Sequence, residues 1–77
     1  MKVKVILFGQ LTDITGKPEL VLENIRDTDE LVGHLQQAYP QFREALYVIA
    51  VDKDIITTNT ALENNMTIAM LPPYAGG

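Results

Sequence analysis

Polar and apolar residues alternate from the start of the chain, with Lys2 and Lys4 set against Val3, Val5 and Leu7. A period of two marks a strand with one buried face. Residues 2–8 are therefore read as a strand, with Val3, Val5 and Leu7 on one side and Lys2, Lys4, Ile6 and Phe8 on the other. Residues 9–18 read as a connector broken by Gly16 and Pro18. Residues 19–25 read as a second strand, paired with the first as a hairpin.

The period then changes. Leu31, Leu35, Ala38 and Tyr39 form one apolar stripe at helical spacing, which predicts a helix over residues 28–39. Asp27 or Thr28 can cap its start, and Glu30 three residues after Asp27 resembles a capping box. Pro40 ends the helix, because the residue before a proline is pushed out of the α region. Residues 41–45 are expected to make a further helical turn.

Three apolar segments remain. Residues 46–51 (Leu-Tyr-Val-Ile-Ala-Val) and 66–71 read as strands, and Ile55-Ile56 as a short one after the polar turn Asp52-Lys53-Asp54. Residues 57–65 read as a loop anchored by Leu62. Pro72-Pro73 forbids continuation of the last strand inside a sheet. The order β-β-α-β-(β)-β has one helix, which covers only one face of a sheet. The economical arrangement is an α+β two-layer domain of β-grasp type, with a mixed sheet and the apolar first and last strands paired in the middle. The domain is expected over residues 1–71, followed by a flexible diglycine tail over 72–77.

Composition narrows the function. A chain of 77 residues makes one domain with a marginal core. It has no cysteine and a single histidine, His34, so neither a thiolate site nor a histidine cluster can be assembled within it. A net charge of −4 argues against nucleic acid and suits a basic partner. No apolar run reaches a membrane span, and the start does not read as a signal peptide. The expectation is a soluble, cytoplasmic protein that binds no membrane.

Candidate chemistry is sparse. There is no phosphate-binding glycine loop, no nucleophile-base set and no metal-ligand motif. Asp52 and Asp54 read as turn residues, His34 as an ordinary helix residue, and Tyr39 and Phe42 as core. What remains is the end, Leu71-Pro72-Pro73-Tyr74-Ala75-Gly76-Gly77. The prolines stiffen the exit, and the side chains then shrink to nothing, so the last residues can thread a narrow channel. A terminal Gly-Gly arises by chance in roughly one chain in two hundred. The pair alone is therefore weak; its position straight after the last strand adds to it, and most of the weight comes from the resemblance given below. The expected reactive group is the α-carboxylate of Gly77. It is ionised at neutral pH and a poor acyl electrophile, so it needs activation, and a chain without a nucleotide site must obtain that from a partner. Phe8, Leu71 and Tyr74 are the candidates for an apolar docking surface on the sheet face away from the helix.

The segment Met66-Thr-Ile-Ala-Met-Leu-Pro-Pro-Tyr-Ala-Gly-Gly77 resembles the end of the small-subunit family of molybdopterin synthase. Val3 to Leu11, Thr28 to Pro40 and Ile49-Ala-Val-Asp52 resemble that family's first strand, helix and third strand, so the likeness spans the whole chain. Two positions depart from the pattern. Asn64-Asn65 replaces an acidic turn before the last strand, and Thr12-Asp13 stands where a basic residue is common.

The resemblance implies a sulfur-carrying subunit that is not catalytic alone. Gly77 would be adenylated by a ubiquitin-activating-like adenylyltransferase that uses ATP, and this chain itself would bind no cofactor. A sulfur donor would convert Gly77 to a thiocarboxylate. The tail would then enter the large subunit, in an expected heterotetramer, and pass sulfur to a cyclic pyranopterin monophosphate during molybdenum cofactor biosynthesis. Gly76 and Gly77 are the functional pair on this view, and Phe8, Leu71, Pro72, Pro73, Tyr74 and Ala75 face the partner. Three alternatives stay open: a sulfur carrier for thiamin or another pathway, a ubiquitin-like modifier joined to lysines, and a plain β-grasp interaction module.

Overall fold

The side chains of Val3, Val5 and Leu7 all point into the core, as their alternation predicts. They belong to strand β1 (Lys2–Leu7) of a computed structural model that describes residues 2–73. A hairpin returns the chain as β2 (Glu19–Glu23), antiparallel to β1. The main helix α2 (Thr28–Ala38) follows, then a 3-10 turn (Pro40–Arg43) and strands β3 (Val48–Val51), β4 (Asp54–Ile56) and β5 (Thr67–Leu71).

The sheet order is β2-β1-β5-β3-β4. β5 lies in the middle, parallel to β1 and antiparallel to β3. The first and last strands thus pair at the centre, as the sequence suggested. Burial on one face follows register. Val5 opposes Ile68, Leu7 opposes Met70, and Met70 opposes Ile49. Leu31 and Leu35 of α2 complete this core, with Phe42 beneath them. Tyr39 and Tyr47 meet the Phe42 ring edge-on, at centroid distances of 6.3 and 6.0 Å, a preferred aromatic geometry.

The start of α2 is held by a clasp. Asp27 Oδ1 accepts from the Glu30 N–H at 2.8 Å, the cap expected of that residue. The reciprocal bond differs from a standard capping box, because Glu30 Oε1 accepts from the Arg26 N–H at 3.1 Å and not from Asp27. Asn59 reaches in from the loop and accepts from the Asp29 N–H at 2.8 Å and the Thr28 hydroxyl at 3.2 Å. The buried Thr28 hydroxyl also accepts from the Thr60 N–H at 2.9 Å. The Glu30 N–H, then the Asn59 side chain and the nearby Arg26 charge, lower the Asp27 carboxyl below its usual range against a smaller opposing effect of desolvation. Leu62 is buried and anchors this loop, as predicted.

Four expectations need correction. Residues 10–15 are not a plain connector but a short helix, α1 (Gln10–Thr15), which inserts Leu11 into the core. Thr12, Asp13 and Thr15 are weak helix formers and no side chain caps its start; the one local signal is at its end, where Gly16 takes a left-handed φ of 75° and its N–H donates to the Thr12 carbonyl. Ala38 is exposed, and the helix ends there with Tyr39 as its C-cap. The third strand begins at Val48 rather than Leu46. The second strand stops at Glu23, where Asn24 takes a positive φ of 62°. The expected tail over 72–77 lies outside the described residues from Tyr74 onward.

Candidate functional site

The face of the sheet away from α2 is built by the residues that the core leaves over. Register places Ile6 beside Ala69, Ala69 beside Ala50 and Ala50 beside Ile55, one row across four strands. The next row pairs Leu71 with Val48. Phe8 lies just past β1, and its N–H donates to the Met70 carbonyl at 3.1 Å, which continues the β1–β5 ladder by one residue. Phe8 is 44 % exposed and Ile55 66 % exposed.

Ile6, Phe8 and Ala69 line one apolar cleft with Thr67, Asp52 and Lys53. Asp52 and Lys53 form the two-residue β3–β4 turn, both with positive φ (47° and 75°), the requirement of a type I′ hairpin. Asp52 is tied down, since its Oδ1 accepts from the Thr67 N–H at 3.1 Å. Lys53 brings a positive charge to the rim of the cleft. On the far row Lys4 meets Glu19 at 3.6 Å; both are half-exposed, and such surface pairs contribute little.

An apolar surface with polar ends can take up a partner's apolar side chains. Among the described residues no group of three or more His, Cys, Asp or Glu could hold a metal ion, and no helix is long and apolar enough to cross a membrane. His34 is exposed on α2, and Asp54 is exposed in β4.

Of the residues singled out from sequence, Phe8 and Leu71 share this outer face. Pro72 is half-buried at the end of β5, and Pro73 is exposed. Tyr74, Ala75, Gly76 and Gly77 lie outside the described residues. The face also holds Ile6, Val48, Ile55 and the small residues Ala50 and Ala69, which sequence reasoning did not nominate. The parity of the first strand already put Ile6 beside Phe8 on this side. Ile55 and Val48 needed the cross-strand register. Leu46, 72 % exposed, stands beside Pro72 at the edge where β5 ends.

The comparisons with known proteins agree with this architecture. The model of the ThiS family matches residues 5–77. The molybdopterin synthase sulfur carrier subunit of Mycobacterium tuberculosis is 34 % identical over 82 aligned residues, covering 100 % of this chain and 99 % of that protein. Among solved structures, a complex of subunits 1 and 2 of the molybdopterin-converting factor of Helicobacter pylori contains a chain 29 % identical, with a TM-score of 0.75 and full coverage of both chains. The small archaeal modifier protein 1 of Methanosarcina acetivorans is 27 % identical, with a TM-score of 0.79, covering 99 % of this chain and 96 % of that one. The five-stranded mixed sheet under one main helix is the ubiquitin-like β-grasp fold of these neighbours, and the chain belongs to the ThiS family.

Proposed function

We propose that this chain is the sulfur carrier subunit of a molybdopterin synthase and that Gly77 is the atom-carrying residue. The observation that carries this reading is the end-to-end likeness to the M. tuberculosis subunit, within a family match that runs through Gly76-Gly77. The chemistry of the end supports it too: a carboxylate is a poor acyl electrophile and needs an activated leaving group, which a partner would supply.

The chemistry then runs in three steps. The Gly77 carboxylate attacks the α-phosphorus of ATP on an adenylyltransferase, giving an acyl-adenylate and releasing pyrophosphate. A hydrosulfide-equivalent nucleophile attacks the acyl carbon and AMP leaves, so one carboxylate oxygen departs with AMP and sulfur takes its place. The thiocarboxylate sulfur finally attacks a carbon of the cyclic pyranopterin monophosphate within the large subunit; that carbon's bond to a phosphate oxygen breaks, the electron pair leaves on the phosphate, and a thioester joins the precursor to Gly77. Hydrolysis of the resulting acyl link returns Gly77 to a carboxylate. The paired subunits 1 and 2 of the H. pylori factor support a large-subunit partner, and the outer face around Phe8, Ile6 and Leu71 offers that partner an apolar seat. Gly76 lets the end lie flat against the partner's backbone.

The test is mass spectrometry of the chain after incubation with an adenylyltransferase, ATP and sulfide. A gain equal to the difference between sulfur and oxygen, located on Gly77, is the expected result. An unchanged mass, or sulfur on any other residue, overturns the proposal. Removing Gly76-Gly77 should abolish cofactor assembly while leaving the fold intact.

A second reading is favoured by the likeness to the M. acetivorans modifier. The same adenylated Gly77 can be captured by a lysine amine, giving an isopeptide bond. Diglycine remnants on lysines of other proteins, after digestion, would establish that use beside sulfur transfer.

A further inference from the structure

Gly9 and Pro72 meet where β5 hands the chain on to its last residues. Gly9 has φ +58° and ψ −135°, a combination that side-chain-bearing L-residues avoid. A methyl group on Gly9 would lie 2.9 Å from Pro72 Cγ and 3.5 Å from Pro72 Cδ. The proline ring therefore rests on the bare Cα of Gly9. The ring also lines a small cleft together with Ile14 of α1 and Ala45-Leu46. The preceding residues are pinned as well, through the Phe8 N–H bond to the Met70 carbonyl and the Leu71–Val48 pairing. With its own φ held by the ring, Pro72 leaves the sheet along one defined path.

We infer that Gly9 is a positioning residue for the carrier end. It is the seat that sets the direction in which residues 73–77 leave the domain, and so where the Gly77 carboxylate arrives in a partner's active site. This rests on the sulfur-carrier reading above. Five residues beyond Pro72 span at most about 17 Å, so the arm has little slack to absorb a displaced root. A misplacement of about 1 Å at reacting atoms can cost on the order of a hundredfold in rate. Gly9 touches no reacting group and acts only through Pro72.

The test uses the full chain with its adenylyltransferase, ATP and sulfide, and follows thiocarboxylate formation by mass spectrometry. Four forms are compared: wild type, Gly9→Ala, Pro72→Ala and the double variant. Gly9→Ala should lower kcat about tenfold or more with KM nearly unchanged, because the substitution removes no side chain that a partner could contact. The double variant should be faster than the product of the two single effects, because the ring atoms that the methyl strikes are gone while the backbone strain at residue 9 is common to both backgrounds. Pro72→Gly, which leaves Gly9 untouched, loosens the same root and should also lower kcat. A wild type that takes up no sulfur sinks the carrier reading itself. A working wild type with Gly9→Ala and Pro72→Gly at the same kcat, or single losses that simply multiply, overturns the role of Gly9 alone.

Discussion

The Phe8 N–H donates to the Met70 carbonyl at 3.1 Å, one residue beyond the end of β1. That bond fixes an exposed aromatic ring on the outer sheet face beside β5. The proposed docking face and the proposed carrier end are thus referenced to the same central pair of strands.

The first prediction concerns that face. Phe8→Ala and Ile55→Ala should each weaken binding to the large subunit about 5- to 30-fold, the range for losing an interface contact of about 1–2 kcal/mol. Thermal stability should hardly move, because both side chains are exposed in the free chain. Titration calorimetry against the isolated large subunit reads the effect. Equal affinities for all three chains would remove this face from the interface.

The second concerns acid. The Glu30 N–H and the Asn59 side chain hold the folded Asp27 carboxyl below its ordinary range. The unfolded chain therefore binds more protons in the window between the lowered value and the usual aspartate value of about 3.9. Stability from this group is complete above that window and is lost as pH falls through it. Asparagine caps a helix without titrating. Asp27→Asn should accordingly lose less stability than wild type between neutral pH and about pH 3, measured as urea midpoints. Identical acid losses would show that the cap charge does not contribute.

A third prediction tests the core. Leu35 is almost fully buried, whereas His34 beside it is exposed. Leu35→Ala should cost about 2–5 kcal/mol, a large share of the stability of a domain this small. Its Tm should drop by roughly 10 °C or more. His34→Ala should stay within about 0.5 kcal/mol. Calorimetric melting of the two variants side by side decides the matter.

The fourth targets the β3–β4 turn. Lys53 bears a φ of +75°, which glycine adopts without strain. Asp52 keeps its bond to the Thr67 N–H in either case. Lys53→Gly should therefore stabilise by about 0.5–1 kcal/mol, relief of strain outweighing the added entropy of the unfolded chain. A lower Tm would show that Lys53 contributes more through its side chain than its backbone costs.

Much of the fold was legible because its signals are local. The alternation at Val3, Val5 and Leu7 names the inner face of β1 without knowledge of any partner strand. The polar residue ahead of α2 names its cap, and Asn65, which carries a φ of 67°, marks a turn that asparagine tolerates. The capping pattern was half right, since Glu30 turns back to Arg26 instead of Asp27. The candidate site was legible at Phe8 and Leu71 from parity, but Ile55 and Val48 belong to it only by register. α1 went unseen because six residues with three weak helix formers hold only one helically spaced apolar pair, Leu11 and Ile14, too short a run to mark a helix. Burial of Leu11 stabilises it.

The chain alone determined the strand and helix periodicities, the absence of cysteine, and the proline-then-glycine ending, because each is a property of neighbouring residues. Tertiary structure decided the rest: that β5 enters between β1 and β3, which side chains share the outer face, and that the Pro72 ring rests on Gly9. These relate residues far apart in the chain, and only the common hydrophobic core, closing over both central strands at once, chooses among the pairings that local chemistry allows.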